Sequence, residues 1–334
     1  MMDYESFKGL VEGHFKEFLP ERLSGCKVEI RPVYKINREE DAVALVQPDM
    51  RGMQSSPLLY ISDMYERYQE TGDARYTLSE AAGRIEGLWR DQYTERLSLD
   101  EIRSRIVMEL VNTEMNEGLL REAPNRPFHD LSVIYKIVSS VEPGAVWSSR
   151  VTNSIAKQMG MDEPALYEAA YKNTKRLFPP MVIPIEGMVK MLYEKAGEAL
   201  PAEFGGRPEG EAVGGLPFYV ITNRNNIDGA VSVLYEDVLH GLAGRLGADL
   251  YILPSSINEM IALPAKDIGL RELAGMVEDI NMMVVPMEER LSNQVYQYDR
   301  ELRKVFPAPA VPARGIGMDI VEPSAAGGRK EQAR

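Results

Sequence analysis

The chain has 334 residues, in which 51 Asp and Glu outnumber 38 Lys and Arg, giving a formal net charge of -13. This length suits one large domain or two of ordinary size, with enough apolar residues to bury a sizeable core. The negative charge argues against duplex nucleic acid or an anionic membrane as the main partner, since both are bound through Lys and Arg.

The cysteine count and the hydrophobic runs exclude further classes of protein. Cys26 is the single cysteine, which excludes a disulfide within the chain and a thiolate-rich metal site. Residues 1–16 lack the basic region and apolar run of a secretory signal, and no run of about eighteen apolar residues predicts a spanning helix. We therefore expect an acidic cytoplasmic protein without a membrane segment, a metal or a cofactor.

The first lobe begins with an amphipathic helix over Tyr4–Leu19, predicted from three- and four-residue spacing and ended by Pro20. His14 lies on its apolar face, where a packed or rim histidine is a better interpretation than a ligand or a base. A capping box, Ser98 with Glu101, begins a later helix. The predicted strands are Lys27–Lys35, Ala42–Gln47 and Leu58–Ile61, and the predicted helices are Asp63–Glu70, Leu78–Tyr93 and Ser98–Asn112.

Near Asn125 the composition shifts to a long apolar run that predicts a strand over Phe128–Ser140. Pro164 stands in the first turn of a predicted helix, a position that proline favours. Residues 201–215 are rich in Gly, Pro and Glu and predict an exposed, mobile insertion. The predicted helices of this region are Trp147–Met159, Glu163–Leu177 and Met188–Ala196.

The second lobe is built around a compact βαββ unit at residues 216–264. Asp228 is expected to cap the helix, since a carboxylate accepts from the free amides of the first turn, and Gly247 is expected to end it. The unit consists of a strand over Leu216–Thr222, a helix from about Asp228 to Leu246, and strands over Asp249–Leu253 and Glu259–Leu263. A helix over Leu270–Met283 and a closing strand over Val295–Tyr298 follow.

These elements predict an α+β fold with two lobes, each a small mixed or antiparallel sheet with helices packed on it. The lobes divide near Asn125, into residues 1–124 and 125–306. Residues 307–334 are dominated by Pro, Ala, Gly and charged residues, and we expect a disordered tail.

The strongest candidates for catalytic chemistry are His129 and Asp130, which form the His-Asp dipeptide seen in metal-dependent phosphohydrolases. Such a site needs further histidines, and only two others exist, so a turn-stabilising role is the better interpretation. Ser255 with a histidine and Glu259 would complete a nucleophilic set. No nucleophile elbow is present, and Ser255 lies in a loop of ordinary turn residues.

Two groups of residues are candidates for binding. Tyr65 and Tyr68 predict either an exposed aromatic recognition surface or the packing of their helix onto the first sheet, and packing is favoured. Asn223, Ser256 and Asn258 stand in the turns that border the βαββ strands. We include these three as binding candidates beside their ordinary role as turn residues.

Several segments resemble an uncharacterised bacterial family defined by a domain of unknown function and common in anaerobic gut bacteria. The resemblance covers roughly Phe7–Asp299, and the later half is also distantly similar to a second uncharacterised family, of bacilli. It implies no activity. The family often has a histidine where Asn258 stands, so any chemistry that used it is absent here. The segments that carry the resemblance are Tyr60–Gln69, His129–Tyr135, Val151–Asn153, Asn173–Pro179, Val220–Asn223, Gly229–Ala230, Leu250–Ser256 and Leu291–Tyr296.

Two functional hypotheses follow. The first is a non-catalytic binding or regulatory module that recognises a protein or a small ligand, motivated by the lack of a convergent catalytic set. The alternative is a hydrolase of unfamiliar type that uses His129, Asp130, Ser255 and Glu259. The two separate on geometry, because general acid–base catalysis requires these residues within hydrogen-bond reach of one substrate.

Overall fold

A computed structural model describes residues 1–46, 58–91, 98–142, 145–197, 199, 217–266 and 268–309. In this part of the chain the strands form three sheets, and every pairing is antiparallel. Helices pack on these sheets, which confirms the predicted α+β class. The predicted insertion at 201–215 and most of the predicted tail lie outside the described residues.

The first sheet has the order β1-β2-β3 and carries the N-terminal helices. Its β1 and β2 are joined by a two-residue turn, Ile36-Asn37, and Asn37 has a φ of 60°, a left-handed conformation that asparagine tolerates. Helix and strand faces bury Phe7, Val11 and Cys26 in one core. The elements are α1 Tyr4–His14, β1 Lys27–Lys35, β2 Arg38–Val46, β3 Leu58–Tyr60, α2 Ile61–Thr71 and α3 Ala74–Asp91.

Two details of the N-terminal prediction are wrong. The first helix ends at His14, and a 3-10 helix over Phe15–Phe18 carries the chain on toward Pro20. His14 does not lie on the buried apolar face: it is exposed, and its Nδ1 lies 2.8 Å from Oε1 of Glu17. The apolar spacing that suggested a buried position is satisfied by Phe15, which is completely buried.

The second sheet is built on β6, with β4 on one edge and β5 and β7 in succession on the other. The prediction of a helix as far as Asn112 is wrong. The capping box at Ser98 is confirmed, but its helix ends at Arg103, and Ile106–Val111 are all buried because both faces of β4 are covered. The elements are α4 Leu99–Arg103, β4 Ile106–Asn112, α5 Glu117–Glu122, β5 Asn125–Phe128, β6 Leu131–Glu142, β7 Ala145–Arg150 and α6 Asn153–Met159.

Two further predictions in this region are wrong for local reasons. The predicted strand Phe128–Ser140 is confirmed from Leu131 onward as β6, but its start is wrong: the chain reverses at His129, whose φ is 57°, and Phe128 belongs to the preceding strand. The predicted helix Trp147–Met159 is the strand β7 followed by the short helix α6. Thr152 caps α6 by accepting from the amide of Ile155, so the helix begins after the strand rather than within it.

The third sheet has the order β13-β12-β10-β11-β9-β8. Helices α7 and α10 are confirmed at their predicted bounds. Strands β8 and β13 were not predicted; β8 begins and ends with proline, which is tolerated because β8 lies at the sheet edge. The elements are α7 Glu163–Leu177, β8 Pro180–Pro184, α8 Ile185–Ala196, β9 Tyr219–Asn223, α9 Glu236–Leu246, β10 Leu250–Leu253, β11 Met260–Pro264, α10 Leu270–Met283, β12 Tyr296–Asp299 and β13 Lys304–Pro307.

The βαββ unit is confirmed in order, but its helix is divided. A 3-10 helix over Gly229–Leu234 comes first, extended backbone at Tyr235 interrupts it, and α9 then runs to Gly247, whose φ of 63° ends it as predicted. Asp228 is not the helix cap. Its φ is 52° and its carboxylate is turned away toward Lys136.

The second and third sheets share the largest hydrophobic core, which contains β4, β6, β9, β10, β11 and β12 side chains. Residues on both sides of position 125 therefore belong to one core, and β4 pairs with β6 across that position. The division into lobes at 124 and 125 stays a prediction, and such a boundary would run through the second sheet.

Candidate functional site

The His129-Asp130 pair forms the turn between β5 and β6 and is held by internal contacts. One Asp130 carboxylate oxygen accepts from the hydroxyl of Tyr296 at 2.6 Å, and the other accepts from Ser292 at 2.5 Å. Burial, and then the bond to Asp130, raises the pKa of the Tyr296 phenol. His129 packs its ring on Tyr296, and its Nε2 lies 3.1 Å from the Val305 carbonyl oxygen. The pair therefore joins the second sheet to β12 and β13.

The loop between β10 and β11 closes on itself through Ser256. The Ser256 hydroxyl lies 3.3 Å from a carboxylate oxygen of Glu259 and accepts from the Asn258 amide at 3.1 Å. Burial raises the pKa of Glu259, against the lowering effect of the Ser256 bond. Ser255 is half-buried beside it. This arrangement is a turn stabilised by short local bonds.

Asn258 and Asn223 belong to the same corner. The Asn258 side chain accepts from the Asp228 amide at 3.1 Å, and its carbonyl accepts from Thr222 at 2.8 Å. A Cβ on Gly229 would lie 2.4 Å from the Asn258 carbonyl oxygen, so this close approach requires glycine. Asn223 is buried and donates to the Ile227 carbonyl at 2.7 Å.

The four residues of the hydrolase hypothesis thus occupy two different turns. Asp130 bonds to Ser292 and Tyr296, whereas Glu259 bonds to Ser256, and no described hydrogen bond or ion pair joins one turn to the other. Among the described residues there is also no group of three or more His, Cys, Asp or Glu placed to hold a metal ion.

Tyr65 and Tyr68 lie against the N-terminal helix. The Tyr68 ring stacks on Phe7 with centroids 5.2 Å apart, and the Tyr65 ring meets Tyr4 edge-on at 5.4 Å. Both hydroxyls bond to the backbone of Met2, at 3.1 Å each. The packing interpretation accounts for these contacts, and a binding role for the two tyrosines stays a prediction.

A buried cluster of charges, not singled out from the sequence, lies on the second sheet. Glu109 on β4 and Lys136 on β6 are 3.2 Å apart, and Lys136 also bonds to Asp228 of the turn after β9. Their side chains are only 3%, 15% and 17% exposed. Lys136 therefore ties the βαββ unit to the second sheet through two carboxylates.

The charges in this cluster depend on one another. Burial raises the pKa of Glu109 to about 8, with Asp228 adding to the effect and Lys136 opposing it. Burial alone would lower the pKa of Lys136, but the charges of Glu109 and Asp228 outweigh it and raise that pKa to about 12. Lys136 and Asp228 therefore form an ion pair, and Glu109 lies beside them with a raised pKa.

A second buried polar group holds together three distant segments. Asn37 and Asn116 exchange two hydrogen bonds, of 2.8 and 2.7 Å. The side-chain amide of Asn37 also donates to the backbone carbonyls of Met287 and Arg290, at 2.8 and 2.7 Å. The tip of the β1–β2 hairpin and residues 287–290 are thus fixed against the segment after β4.

Next to this group lies an exposed apolar surface at the end of α10, which we call the methionine surface. Its members are among the most exposed large apolar side chains of the described residues. The inward stripe of α10, Leu273, Val277 and Asn281, is buried at four-residue spacing, so the other side of the last turn faces solvent. The methionine surface consists of Met282 (69% exposed), Met283 (77%), Val284 (72%) and Met287 (55%).

The backbone beneath the methionine surface is held firmly. Arg290 donates from Nε to the Val285 carbonyl at 3.0 Å, near the free end of α10. Asn281 donates to the Ser292 carbonyl at 3.0 Å, and Asn37 holds Met287 as described. The exposed side chains therefore stand on a fixed backbone rather than on a loose end.

Sequence reasoning missed this surface. Its signal was visible as the run Met282-Met283-Val284-Val285, which continues past the end of a predicted helix. Apolar residues at a helix end are usually assigned to the core, and only burial separates Val285, at 7% exposed, from the three residues before it.

Comparison with known proteins gives one match. A family model matches residues 4–300, and its description is "Family of unknown function (DUF5688)". No curated protein and no solved structure matches the chain. Among the described residues, none of the helices combines the length and the apolar character needed to cross a membrane.

Proposed function

Because the chain belongs to the family of unknown function DUF5688, we propose its role from the described geometry: a non-catalytic binding module that recognises a partner protein. The observation that carries the proposal is the methionine surface. Four large apolar side chains, each more than half exposed, lie within six residues. Contiguous exposed apolar patches on soluble proteins mark interaction sites, whereas single exposed residues need no explanation.

The composition of the surface supports a protein partner. Methionine is enriched at the cores of protein interfaces, and its flexible thioether adapts to different partner shapes. Because the backbone under Met283 and Met287 is already fixed, binding loses less conformational entropy. The acidic composition keeps such a patch soluble in the absence of a partner.

The hydrolase alternative receives less support. It requires His129, Asp130, Ser255 and Glu259 to act on one substrate, and Asp130 and Glu259 have their hydrogen bonds in separate turns. A general base whose oxygens both accept from buried hydroxyls would have to give up those bonds to act. We therefore favour the binding function and a location in the cytoplasm.

Site-specific crosslinking in the native cell tests the binding function. A photo-crosslinking side chain replaces Met283 in one variant and Leu302, an exposed apolar residue outside the methionine surface (61%), in the control. We expect a discrete crosslinked protein from position 283 alone. The band should disappear when Met282 and Met287 are also changed to serine. Identical products from positions 283 and 302 would overturn the proposal.

A further inference from the structure

The methionine surface has an acidic rim. Glu278 and Asp279 precede it on α10, and Glu288 and Glu289 follow it; the first three are exposed and Glu289 is half-buried. None of the ion pairs in the described part of the chain engages these carboxylates. The stretch 272–289 contains no Lys or Arg, and Arg290, which follows it, donates to the backbone carbonyls of Val285 and Met282 rather than to the rim. A partner therefore meets apolar side chains flanked on both sides by carboxylates without an ion-pair partner among the described residues.

We infer that the methionine surface binds an amphipathic helix with a basic polar face, an inference that rests on the proposed binding function. The apolar face of such a helix covers Met282, Met283, Val284 and Met287, and its Lys and Arg side chains reach the rim. Helices commonly dock their apolar face against an adaptable hydrophobic surface. Complementary charge then sets the orientation and speeds association.

Charge also argues against the two other natural occupants. A second copy of this chain would bring the same rim of four carboxylates and a net charge of -13, and like charges facing each other oppose association. An anionic membrane repels the rim for the same reason, since surface binding there depends on Lys and Arg. A basic helix is attracted by the carboxylates of the rim, whereas a second copy of the chain and an anionic membrane are repelled by them.

The test measures binding of synthetic helices to the full chain by fluorescence anisotropy. The probe is a peptide of about eighteen residues, or five helical turns, built from Leu and Lys with Leu on one face. One comparison peptide replaces Lys by Glu, and another scrambles the Leu/Lys order at constant composition. We expect the patterned Leu/Lys probe to bind roughly tenfold or more tightly than either comparison peptide, a difference of about 1.4 kcal/mol.

Variants separate the two parts of the surface. Met283→Ser with Met287→Ser should weaken binding of the Leu/Lys probe roughly tenfold. Neutralising the rim with Glu278→Gln, Asp279→Asn, Glu288→Gln and Glu289→Gln should weaken binding and reduce its dependence on salt. A matched control neutralises four exposed carboxylates elsewhere, Glu12, Glu66, Glu142 and Glu301, and should bind as the wild type does.

The outcomes distinguish this inference from the proposed function. Equal binding of patterned and scrambled probes, or equal weakening by the rim and control variants, overturns the basic-helix partner. Preference for the Leu/Glu probe, or self-association that Met283→Ser abolishes in sedimentation, also overturns it but leaves protein binding at the methionine surface intact. In contrast, if position 283 gives no discrete crosslinked protein in cells, the proposed binding function itself is overturned.

Discussion

Asp130, in the turn between β5 and β6, and Met283, at the end of α10, are both exposed, but their contacts are opposite. Asp130 has a side chain suited to catalysis, and both of its oxygens accept hydrogen bonds from the third sheet region. Met283 has a side chain suited to a core, and it is 77% exposed. The type of a side chain therefore predicts a functional site poorly, whereas the contacts that the fold leaves unused predict it better.

The buried cluster around Lys136 extends the comparison. It contains perturbed ionisable groups of the kind that often mark active sites. Its three ionisable groups nevertheless interact with one another, between a strand pair and the turn at Asp228. On this argument the cluster stabilises the contact between two sheets. The methionine surface, in contrast, is a part of the described chain whose side chains are left exposed. Four measurements test this difference.

The largest effect is expected from Lys136→Met. Removing the lysine leaves Asp228 buried without its cation beside the carboxyl group of Glu109, which should lower the free energy of unfolding by about 3–5 kcal/mol. Urea denaturation measures the change. Lys172→Met, at an exposed pair with Glu168, is the matched control and should change stability little.

A second variant keeps this prediction testable where Lys136→Met folds poorly. Adding Glu109→Leu to Lys136→Met removes one of the two buried carboxyl groups that have lost the lysine, and should recover part of the lost stability. An unchanged midpoint for the single variant, or no recovery in the double variant, would show that the charges do not hold the sheets together.

Stability should also depend on pH through Glu109. Its pKa is about 8 in the folded protein against an ordinary value of 4.5, so between these values the folded state keeps a proton that the unfolded chain has lost. Its contribution to stability is complete below about pH 4.5 and is lost as pH rises toward 8. The slope from this one group is at most about 1.4 kcal/mol per pH unit.

The comparison of wild type with Glu109→Gln isolates this effect. Glu259, whose pKa burial also raises, contributes in the same direction in both proteins and cancels in the difference. Urea midpoints at pH 5.5, 6.5 and 7.5 should fall more steeply for the wild type than for the variant. Parallel slopes would mean that Glu109 ionises normally.

Local signals in the sequence predicted well where one residue type decides the outcome. The capping box at Ser98, the left-handed end at Gly247 and the bounds of α7 and α10 are confirmed. These features depend on contacts within one or two turns of the chain. The α+β class follows from the same alternation of short elements.

The sequence failed where a distant contact decides. Residues 106–111 combine Ile106, Val107 and Val111, which favour a strand, with Met, Glu and Leu, which favour a helix, and pairing with β6 decides for the strand. At the turn, His129 adopts a left-handed backbone conformation, and the sequence has no glycine there to indicate it. The pairing of Asn37 with Asn116 joins segments more than 70 residues apart in the chain. The exposure of Met283 depends on which face of α10 is covered. Local sequence patterns contain neither kind of information.

A smaller effect is expected from Asp130→Asn. This change weakens the bonds to the Tyr296 and Ser292 hydroxyls and should lower the free energy of unfolding by about 1–2 kcal/mol. In a double-mutant cycle, Asp130→Asn combined with Tyr296→Phe should lose less stability than the sum of the two single changes, because both changes remove the same hydrogen bond. Additive effects would indicate that the bond contributes nothing, and that the Asp130 carboxylate is free for chemistry.

The smallest effect is expected from Met282→Ser combined with Met283→Ser. Both side chains are more than two-thirds exposed, so their loss should change the free energy of unfolding by no more than about 0.5 kcal/mol. Met260→Ala, at a completely buried methionine, is the control and should cost about 2–5 kcal/mol. A large loss in the surface variant would mean that these methionines belong to the core. No change in stability would leave these side chains to a partner, since exposed apolar side chains that stabilise nothing in the free protein are available to bind.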